Sequence, residues 1–392
     1  MLKFMQVAVL VVALLIVAFG LVAGGLGIVL SLLNPNADQL LGVTGSVSLL
    51  VLTVGLGLAL AWQAWQAVRG RESKPFRPGR VWPLVLIFLL AIGLGQAILT
   101  LDLLPALTFS PFHVLVAVMP CVIILGLTGR SLAGLTRWRD MVLQTSSGAF
   151  VATAISFILE MAAGLGLIAI ASVVVAMQPG GQETLMSLVD RLKSPTGLED
   201  PAFLSSLTQS PIVVGLALLV LAVVVPLIEE ATKTLGIGLM AYRRPTMAQA
   251  FLWGLAGGAG FALAEGLLNT LGGLDGWSVA MLSRIGATLL HCFLGGLMGL
   301  AWYSVLAEQR WVRGLALYAT SVSLHGAWNA LAGGLTFLSL RLEDAASMGT
   351  AQQWTTLAMF AVLALLVILA IAVTFGLALL VRRVRLRSAV GV

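Results

Sequence analysis

Long apolar segments set the strongest limit on what this chain can fold into. Ten stretches carry almost no charge, and each has the length of about 20 residues that an α-helix needs to cross a bilayer. Hydrophobic residues make up 59% of the 392 residues and charged residues only 10%. The sequence therefore predicts an all-α, polytopic membrane helix bundle. Its ten predicted transmembrane helices lie near residues 5–33, 41–66, 82–104, 111–128, 147–177, 211–241, 248–274, 279–307, 314–339 and 355–381.

Basic residues are distributed unevenly between the segments that connect these helices. Seventeen of the 22 Lys and Arg residues lie in alternate connections and at the two ends of the chain. An excess of basic residues marks the cytoplasmic side of a membrane protein, so we expect both termini in the cytoplasm. Because the basic residues follow this topology, the net charge of +6 gives no reason to expect a nucleic-acid partner.

The order of segments along the chain predicts four regions. Residues 1–178 form an N-terminal membrane region of five spans without an assigned role, and residues 179–210 form an extracytoplasmic loop. Residues 211–340 contain four spans that hold most of the buried polar residues. Residues 341–392 add the last span and a basic cytoplasmic tail. We find no internal repeat, which argues against a transporter built from duplicated halves.

Two glutamates and a lysine lie together inside the sixth span, in the sequence "EEATK". A charge at the bilayer centre costs roughly 2.5–3.5 kcal/mol, so such residues need partners, water or a function. Glu229 and Lys233 are four residues apart and share a helix face, whereas Glu230 points about 100° away. We expect Lys233 to neutralise one carboxylate and to leave the other for a different contact. A buried ion pair that only joins helices is the alternative interpretation.

Each of the next three spans adds ionisable or polar residues. Glu265 has no basic neighbour at helical spacing, so its partner must come from another helix. Arg284 and His291 share one helix face, and Arg284 either reaches the outer interface or faces inward. His325 and Asn329 are one turn apart. At a rise of 1.5 Å per residue, the glutamates and histidines of these four spans fall within about 10 Å along the membrane normal.

Carboxylates and imidazoles at one depth can activate water in two ways. A glutamate can act as general base while His and Asn stabilise the oxyanion, or His291, His325 and one or two glutamates can bind zinc. The serine-hydrolase sequence GxSxG and the zincin sequence HExxH are absent. A proton-coupled transporter is the alternative, because intramembrane Glu and His also form proton relays, and Glu160 is an isolated candidate for one. A catalytically silent scaffold is the third hypothesis.

Four motifs in consecutive spans carry a family resemblance: "EEATK", "FALAE", "RIGATLLH" and "HGAWN". Together they resemble the PrsW family of intramembrane proteases, which is itself similar to the CAAX-protease and bacteriocin-processing superfamily. The resemblance covers about residues 211–340. It implies that the active-site residues are Glu229, Glu230, Glu265, His291 and His325, supported by Lys233, Arg284 and Asn329.

The resulting hypothesis is an intramembrane peptidase that cleaves membrane-anchored proteins. Glu229 or Glu230 takes a proton from water, and His325 with Asn329 stabilises the oxyanion. We favour no cofactor. Zinc is the alternative, and its donors would be Glu229, Glu265, His291 and His325. We further expect a multi-pass protein of a prokaryotic plasma membrane, with membrane-anchored protein substrates, and the sequence leaves the oligomeric state open.

Overall fold

The computed structural model describes residues 3–34, 38–178, 180–193, 210–268, 276–344 and 349–389. Nearly all of this described part is helical, and it contains no strand beyond one isolated bridge between Pro75 and Arg137. The prediction of an all-α fold is therefore confirmed. The main helices are α1 (Lys3–Leu33), α2 (Gln39–Val68), α3 (Trp82–Thr100), α4 (Ser110–Ser131), α5 (Trp138–Ala176), α6 (Gly181–Lys193), α7 (Ile212–Leu239), α8 (Met247–Leu268), α9 (Trp277–Leu306), α10 (Trp311–Asp344) and α11 (Gly349–Ala389).

Nine helices among the described residues are long and apolar enough to cross a membrane, which confirms the polytopic prediction. Helix α10 occupies the predicted ninth span and has 34 residues. It is not one of the nine, because Ser, Thr, His and Asn side chains lower its hydropathy. The cytoplasmic position of the termini stays a prediction. Part of the predicted extracytoplasmic loop forms helix α6. Residues 194–209 of that loop lie outside the described residues.

Three membrane helices contain a π-helical turn: Val51–Gly55 in α2, Ser147–Ala152 in α5 and Val220–Val224 in α7. Such turns interrupt the regular hydrogen bonding of a helix and often occur at functional sites. In α7 the turn precedes Pro226, which has no N–H to donate to the preceding turn. The segment before the two glutamates therefore has backbone carbonyls that need donors from elsewhere.

Contacts divide the chain into two compact units that combine distant parts of the sequence. The first unit comprises Met1–Thr153, Glu230–Ser321 and Val373–Val392, and the second comprises Ala154–Glu229 and Val322–Ala372. Helices α5, α7, α10 and α11 each contribute to both units. In α7 the boundary lies between the two adjacent glutamates. The four regions in chain order stay a prediction of how the sequence is organised.

Helix α8 is the core of the first unit, and nearly all of its residues are buried. It packs against α9, α4 and the first part of α5. A Cβ atom added at Gly254 or Gly258 would lie 2.1 Å from the carbonyl oxygens of Gly295 or His291 in α9. Only glycine permits this approach, so these residues allow α8 and α9 to pack closely. The contact also fixes the backbone of His291 against α8.

In the second unit, α10 approaches the π-helical turn of α7. A Cβ atom added at Gly326 would lie 2.2 Å from the carbonyl oxygen of Ala222, which is too close for any larger residue. Gly333, two turns further along α10, lies beside Leu221 and Leu218. Gly326 directly follows His325, so this close packing places the imidazole against the part of α7 that ends in Glu229.

Candidate active site

In the first unit, Glu230 and Lys233 form a buried ion pair. The Lys233 Nζ donates to the Glu230 Oε1 over 2.7 Å, and both side chains are completely shielded from solvent. The same ammonium also lies 2.8 Å from the Nδ1 of His291. Charge-assisted hydrogen bonds of this kind are among the strongest in proteins. They attach the C-terminal part of α7 to α9.

His291 and Arg284 both contact Glu265. The His291 Nε2 lies 2.7 Å from the Glu265 Oε2, and the Arg284 Nη2 donates to the same oxygen over 2.9 Å. The partner of Glu265 therefore comes from another helix, as the sequence predicts. Of the two expectations for Arg284, the inward orientation is confirmed. Because Lys233 donates to the Nδ1 of His291, the Nε2 carries the ring proton and donates it to Glu265.

These five residues form one continuous network: Glu230, Lys233, His291, Glu265 and Arg284. With a neutral imidazole, the two carboxylates balance the two cations. A single buried charge would be costly, whereas a paired set of hydrogen-bonded charges is tolerated in a protein interior. The network explains how so many ionisable residues fit within otherwise apolar helices.

Phe261 is a further member of this cluster, and it is absent from the predicted site residues. Its ring centroid lies 4.6 Å from the Lys233 Nζ and 5.6 Å from the centroid of the His291 ring. A cation above an aromatic face is attracted by the ring quadrupole. The spacing of Phe261 one turn before Glu265 was a signal for this role, since both residues then face the same neighbours.

In the second unit, Glu229 and His325 form a separate pair. The Glu229 Oε2 lies 3.6 Å from the His325 Nε2, and both side chains are buried. The carboxylate and the imidazole belong to the sixth and ninth predicted spans. The distance is slightly longer than a direct hydrogen bond. A small molecule beside the pair can therefore contact both the Glu229 Oε2 and the His325 Nε2.

Asn329 lies one turn after His325 and contacts the backbone of α7. Its Nδ2 donates to the carbonyl oxygen of Leu221 over 3.0 Å, within the π-helical turn. This amide thus supplies a donor to the interrupted segment before Pro226. One of the two amide protons of Asn329 is committed to the backbone. The contact holds α10 and the N-terminal part of α7 in register.

The structure identifies Glu230 as a carboxylate that Lys233 contacts. Glu229 and Lys233 are four residues apart, but Lys233 pairs with Glu230, three residues before it. The α-helical segment Val225–Thr232 of α7 ends just before Lys233, which lies in a turn inside α7. Helical face geometry therefore does not extend to the lysine. Glu230 contacts the Lys233 ammonium, and Glu229 contacts the His325 imidazole.

The four predicted metal donors have the chemistry that zinc requires, namely imidazole nitrogens and carboxylate oxygens. Glu265 and His291 belong to the first unit, whereas Glu229 and His325 belong to the second. Both ring nitrogens of His291 have contacts inside the first unit, one of them with an ammonium group. Zinc is a plausible cofactor for residues of these types.

Membrane-spanning helices that carry buried pairs of glutamate and histidine define a class, the polytopic membrane proteins with acid–base residues inside the bilayer. A sequence profile described as "PrsW family intramembrane metalloprotease" matches residues 136–373. The match covers more than half of the chain, so the chain belongs to the PrsW family and is an intramembrane protease. No curated protein and no solved structure matches the chain.

The family match confirms the resemblance seen in the four motifs and extends it toward the N-terminus. It includes all of α5, which the motifs did not cover, and excludes α1 to α4. Intramembrane peptidase activity follows from the family, together with substrates anchored in the bilayer. The protein is therefore a multi-pass membrane enzyme. Membership decides against the transporter hypothesis.

Proposed function

We propose that Glu229 and His325 are the acid–base pair that hydrolyses a peptide bond of a membrane-anchored protein. The observation that carries this proposal is the 3.6 Å separation between the Glu229 Oε2 and the His325 Nε2. Glu229 is preferred to Glu230 because its Oε2 lies beside an imidazole that can act with it on one substrate, whereas Glu230 contacts the Lys233 ammonium. A general base needs an oxygen that reaches the proton to be removed.

In the proposed mechanism, Glu229 removes a proton from a water molecule as its oxygen attacks the scissile carbonyl carbon. The carbonyl oxygen becomes an oxyanion, and the N–H of His325 stabilises it by donating a hydrogen bond. Protonated Glu229 then transfers its proton to the amide nitrogen, and the C–N bond breaks. The products are a carboxylic acid and an amine, so every proton is accounted for.

The network in the first unit has a positioning role in this proposal. Glu230 directly follows Glu229 in α7, so the bonds from Glu230 to Lys233 and onward to His291 fix the backbone beside the catalytic carboxylate. Glu265 and Arg284 complete and neutralise the network. In the second unit, Asn329 holds the preceding turn of α7 through the Leu221 carbonyl. The predicted contact of Asn329 with the oxyanion stays a prediction and would use its other amide proton.

We propose that the enzyme acts in the plasma membrane of a prokaryotic cell and that its substrates have a membrane anchor. A peptide segment within a regular helix has its carbonyls hydrogen-bonded internally, so it must unwind locally before water can attack it. The enzyme therefore requires substrates whose membrane helix unwinds easily near the scissile bond. Helix-weakening residues such as Gly and Pro meet this requirement.

We expect His325→Ala to stop the formation of shortened membrane proteins in cells. Membranes containing the native chain, His325→Ala or Ser323→Ala are compared by quantitative proteomics. Ser323 is exposed on the same helix, so its variant is the matched control and should retain activity. Shortened single-span proteins should disappear only with His325→Ala, at equal membrane levels of the three proteins. Their persistence with His325→Ala would refute the proposal, and their absence with the native chain would indicate a silent scaffold.

Zinc-dependent hydrolysis is the second candidate mechanism, because the family profile is that of a metalloprotease and Glu229 and His325 are both zinc-donor types. Bound zinc would supply a water molecule that is already easy to deprotonate. We favour the metal-free mechanism, because His291, one of the four predicted zinc donors, lies against the Lys233 ammonium, whose positive charge opposes a dication at that donor.

Zinc analysis of the purified chain separates the two mechanisms. We expect the active protein to contain well under one zinc ion per chain, and we expect His325→Ala and Ser323→Ala to contain the same trace amount. The cleavage rate should be unchanged after dialysis against a chelator. One zinc ion per native chain, lost in His325→Ala but retained in Ser323→Ala, would establish the metalloprotease mechanism instead.

A further inference from the structure

A polar cavity of about 380 Å³ lies in the first unit, between the end of α2 and the beginning of α5. Residues from three segments line it: Trp62 and Gln66 of α2, Arg71 and Lys74 of the connection after α2, and Trp138 and Arg139 of α5. None of these residues belongs to the network or the acid–base pair described above. The cavity is therefore a separate site.

The walls of the cavity are held by backbone hydrogen bonds. The Trp138 amide donates to the Lys74 carbonyl over 3.1 Å, and the Phe76 amide donates to the Thr136 carbonyl over 2.8 Å. The Arg139 amide donates to the Ser73 hydroxyl over 3.0 Å. The connection after α2 is therefore fixed against the start of α5. A ligand would find the cavity already formed.

The residues that line the cavity carry a net positive charge. Arg71, Lys74 and Arg139 all line it, whereas Glu72 is the one acidic lining residue and contacts Arg137 at 3.6 Å. The Nη2 of Arg139 donates to the Arg71 carbonyl over 2.7 Å. Its buried Nε has no hydrogen-bond partner among the described residues. The excess positive charge of the lining residues therefore favours an anion in the cavity.

The position of the cavity indicates where the anion comes from. Helices α2 and α5 are both long and apolar enough to cross a membrane, and the cavity lies where one ends and the other begins. Trp62 is 60% exposed and Trp138 is 39% exposed. Tryptophan is enriched at the membrane–water interface, where lipid headgroups lie. The connection also belongs to the basic set predicted to face the cytoplasm.

We propose that this cavity binds the phosphate group of an anionic phospholipid headgroup. Arginine and lysine supply the charge-assisted donors that phosphate prefers, and basic pockets between membrane helices on the cytoplasmic side bind such headgroups. The guanidinium of Arg139 and the ammonium of Lys74 are the donors. The site is independent of the peptidase chemistry proposed above.

Lipid binding to the full chain in a zwitterionic detergent tests this proposal by native mass spectrometry. Phosphatidylglycerol, phosphatidylcholine and inorganic phosphate are the three probes. The native chain should bind phosphatidylglycerol more tightly than phosphatidylcholine. Arg139→Gln and Lys74→Gln should each weaken phosphatidylglycerol binding about 10-fold, the effect of losing roughly 1.4 kcal/mol. Lys74 is exposed, so that variant tests the site without disturbing the fold.

Arg310→Gln is the matched control, because it removes one exposed basic residue from another predicted cytoplasmic connection. Its lipid binding should equal that of the native chain. An equal loss in Arg310→Gln would show general attraction to charge and overturn the proposed site. Binding of inorganic phosphate at the affinity of the lipid would assign the cavity to a free phosphate and overturn the lipid source. Unchanged lipid binding in both cavity variants would also overturn the proposal.

Discussion

Replacement of Glu229 by Gln should lower the cleavage rate about 10³-fold, because a positioned general base contributes roughly 10²–10⁴-fold to catalysis. Glutamine has nearly the shape of glutamate, but its amide oxygen does not accept a proton from water. The variant should insert and fold normally. The measurement is the cleavage rate of a purified membrane-anchored substrate, taken from the proteomic comparison, by purified native and variant protein in detergent.

The matched control is Glu183→Gln, which changes an exposed glutamate of α6 in the same unit. It should cleave at the native rate. A Glu229→Asp variant adds a second test, since it keeps the carboxylate but withdraws it by one methylene. It should retain more activity than the Gln variant. Full activity of Glu229→Gln in folded protein would remove this residue from the mechanism.

The sequence was sufficient for the fold class because the signals involved are long. A membrane helix needs about 20 apolar residues, and such a run cannot be mistaken for a soluble element. The same reasoning located the four motif-bearing helices and required an interhelical partner for Glu265. The glycines of α8 were also interpretable, because small residues in a membrane helix indicate close packing.

Side-chain partners were harder to predict, because they depend on where a helix stops. Spacing places Lys233 on the face of Glu229, but α7 turns at Lys233 and gives the ammonium to Glu230. Asn329 likewise pairs with the Leu221 carbonyl, which needs a donor because of a π-helical turn. The periodicity of hydrophobic residues in the sequence reveals neither the turn at Lys233 nor the π-helical turn. Local departures from regular helix geometry therefore determine the partners of Lys233 and Asn329, which helical spacing alone does not predict.

The two adjacent glutamates illustrate how one helix can serve two purposes. In this proposal Glu230 stabilises the helix and Glu229 does the chemistry. The division rests on their contacts, since Glu230 lies against the Lys233 ammonium and Glu229 lies beside the His325 imidazole. Both residues are nevertheless glutamates in one short motif, and single substitutions at either position are expected to reduce activity. Stability and catalysis must therefore be measured separately.

A double-mutant cycle on Glu230 and Lys233 makes that separation. Glu230→Leu should destabilise the protein by about 3–5 kcal/mol, because removal of one partner of a buried ion pair leaves the other charge without its counterion. Lys233→Met should have a similar effect. The double variant Glu230→Leu/Lys233→Met should recover most of the stability, since apolar residues of similar size often replace a buried ion pair at little cost. The unfolding temperature in detergent gives the stability of the native chain, the two single variants and the double variant.

Cleavage by the stable double variant then distinguishes a positioning role from a catalytic one. If Glu230 only positions its neighbour, the double variant retains Glu229 and should cleave within roughly 100-fold of the native rate, above the Glu229→Gln level. Its loss should fall mainly on kcat, because the backbone beside Glu229 is less firmly held while substrate binding is unaffected. A stable double variant as inactive as Glu229→Gln would identify Glu230 as a catalytic carboxylate. The ion pair would then orient a reacting group, and the assignment of the two glutamates would have to be reversed.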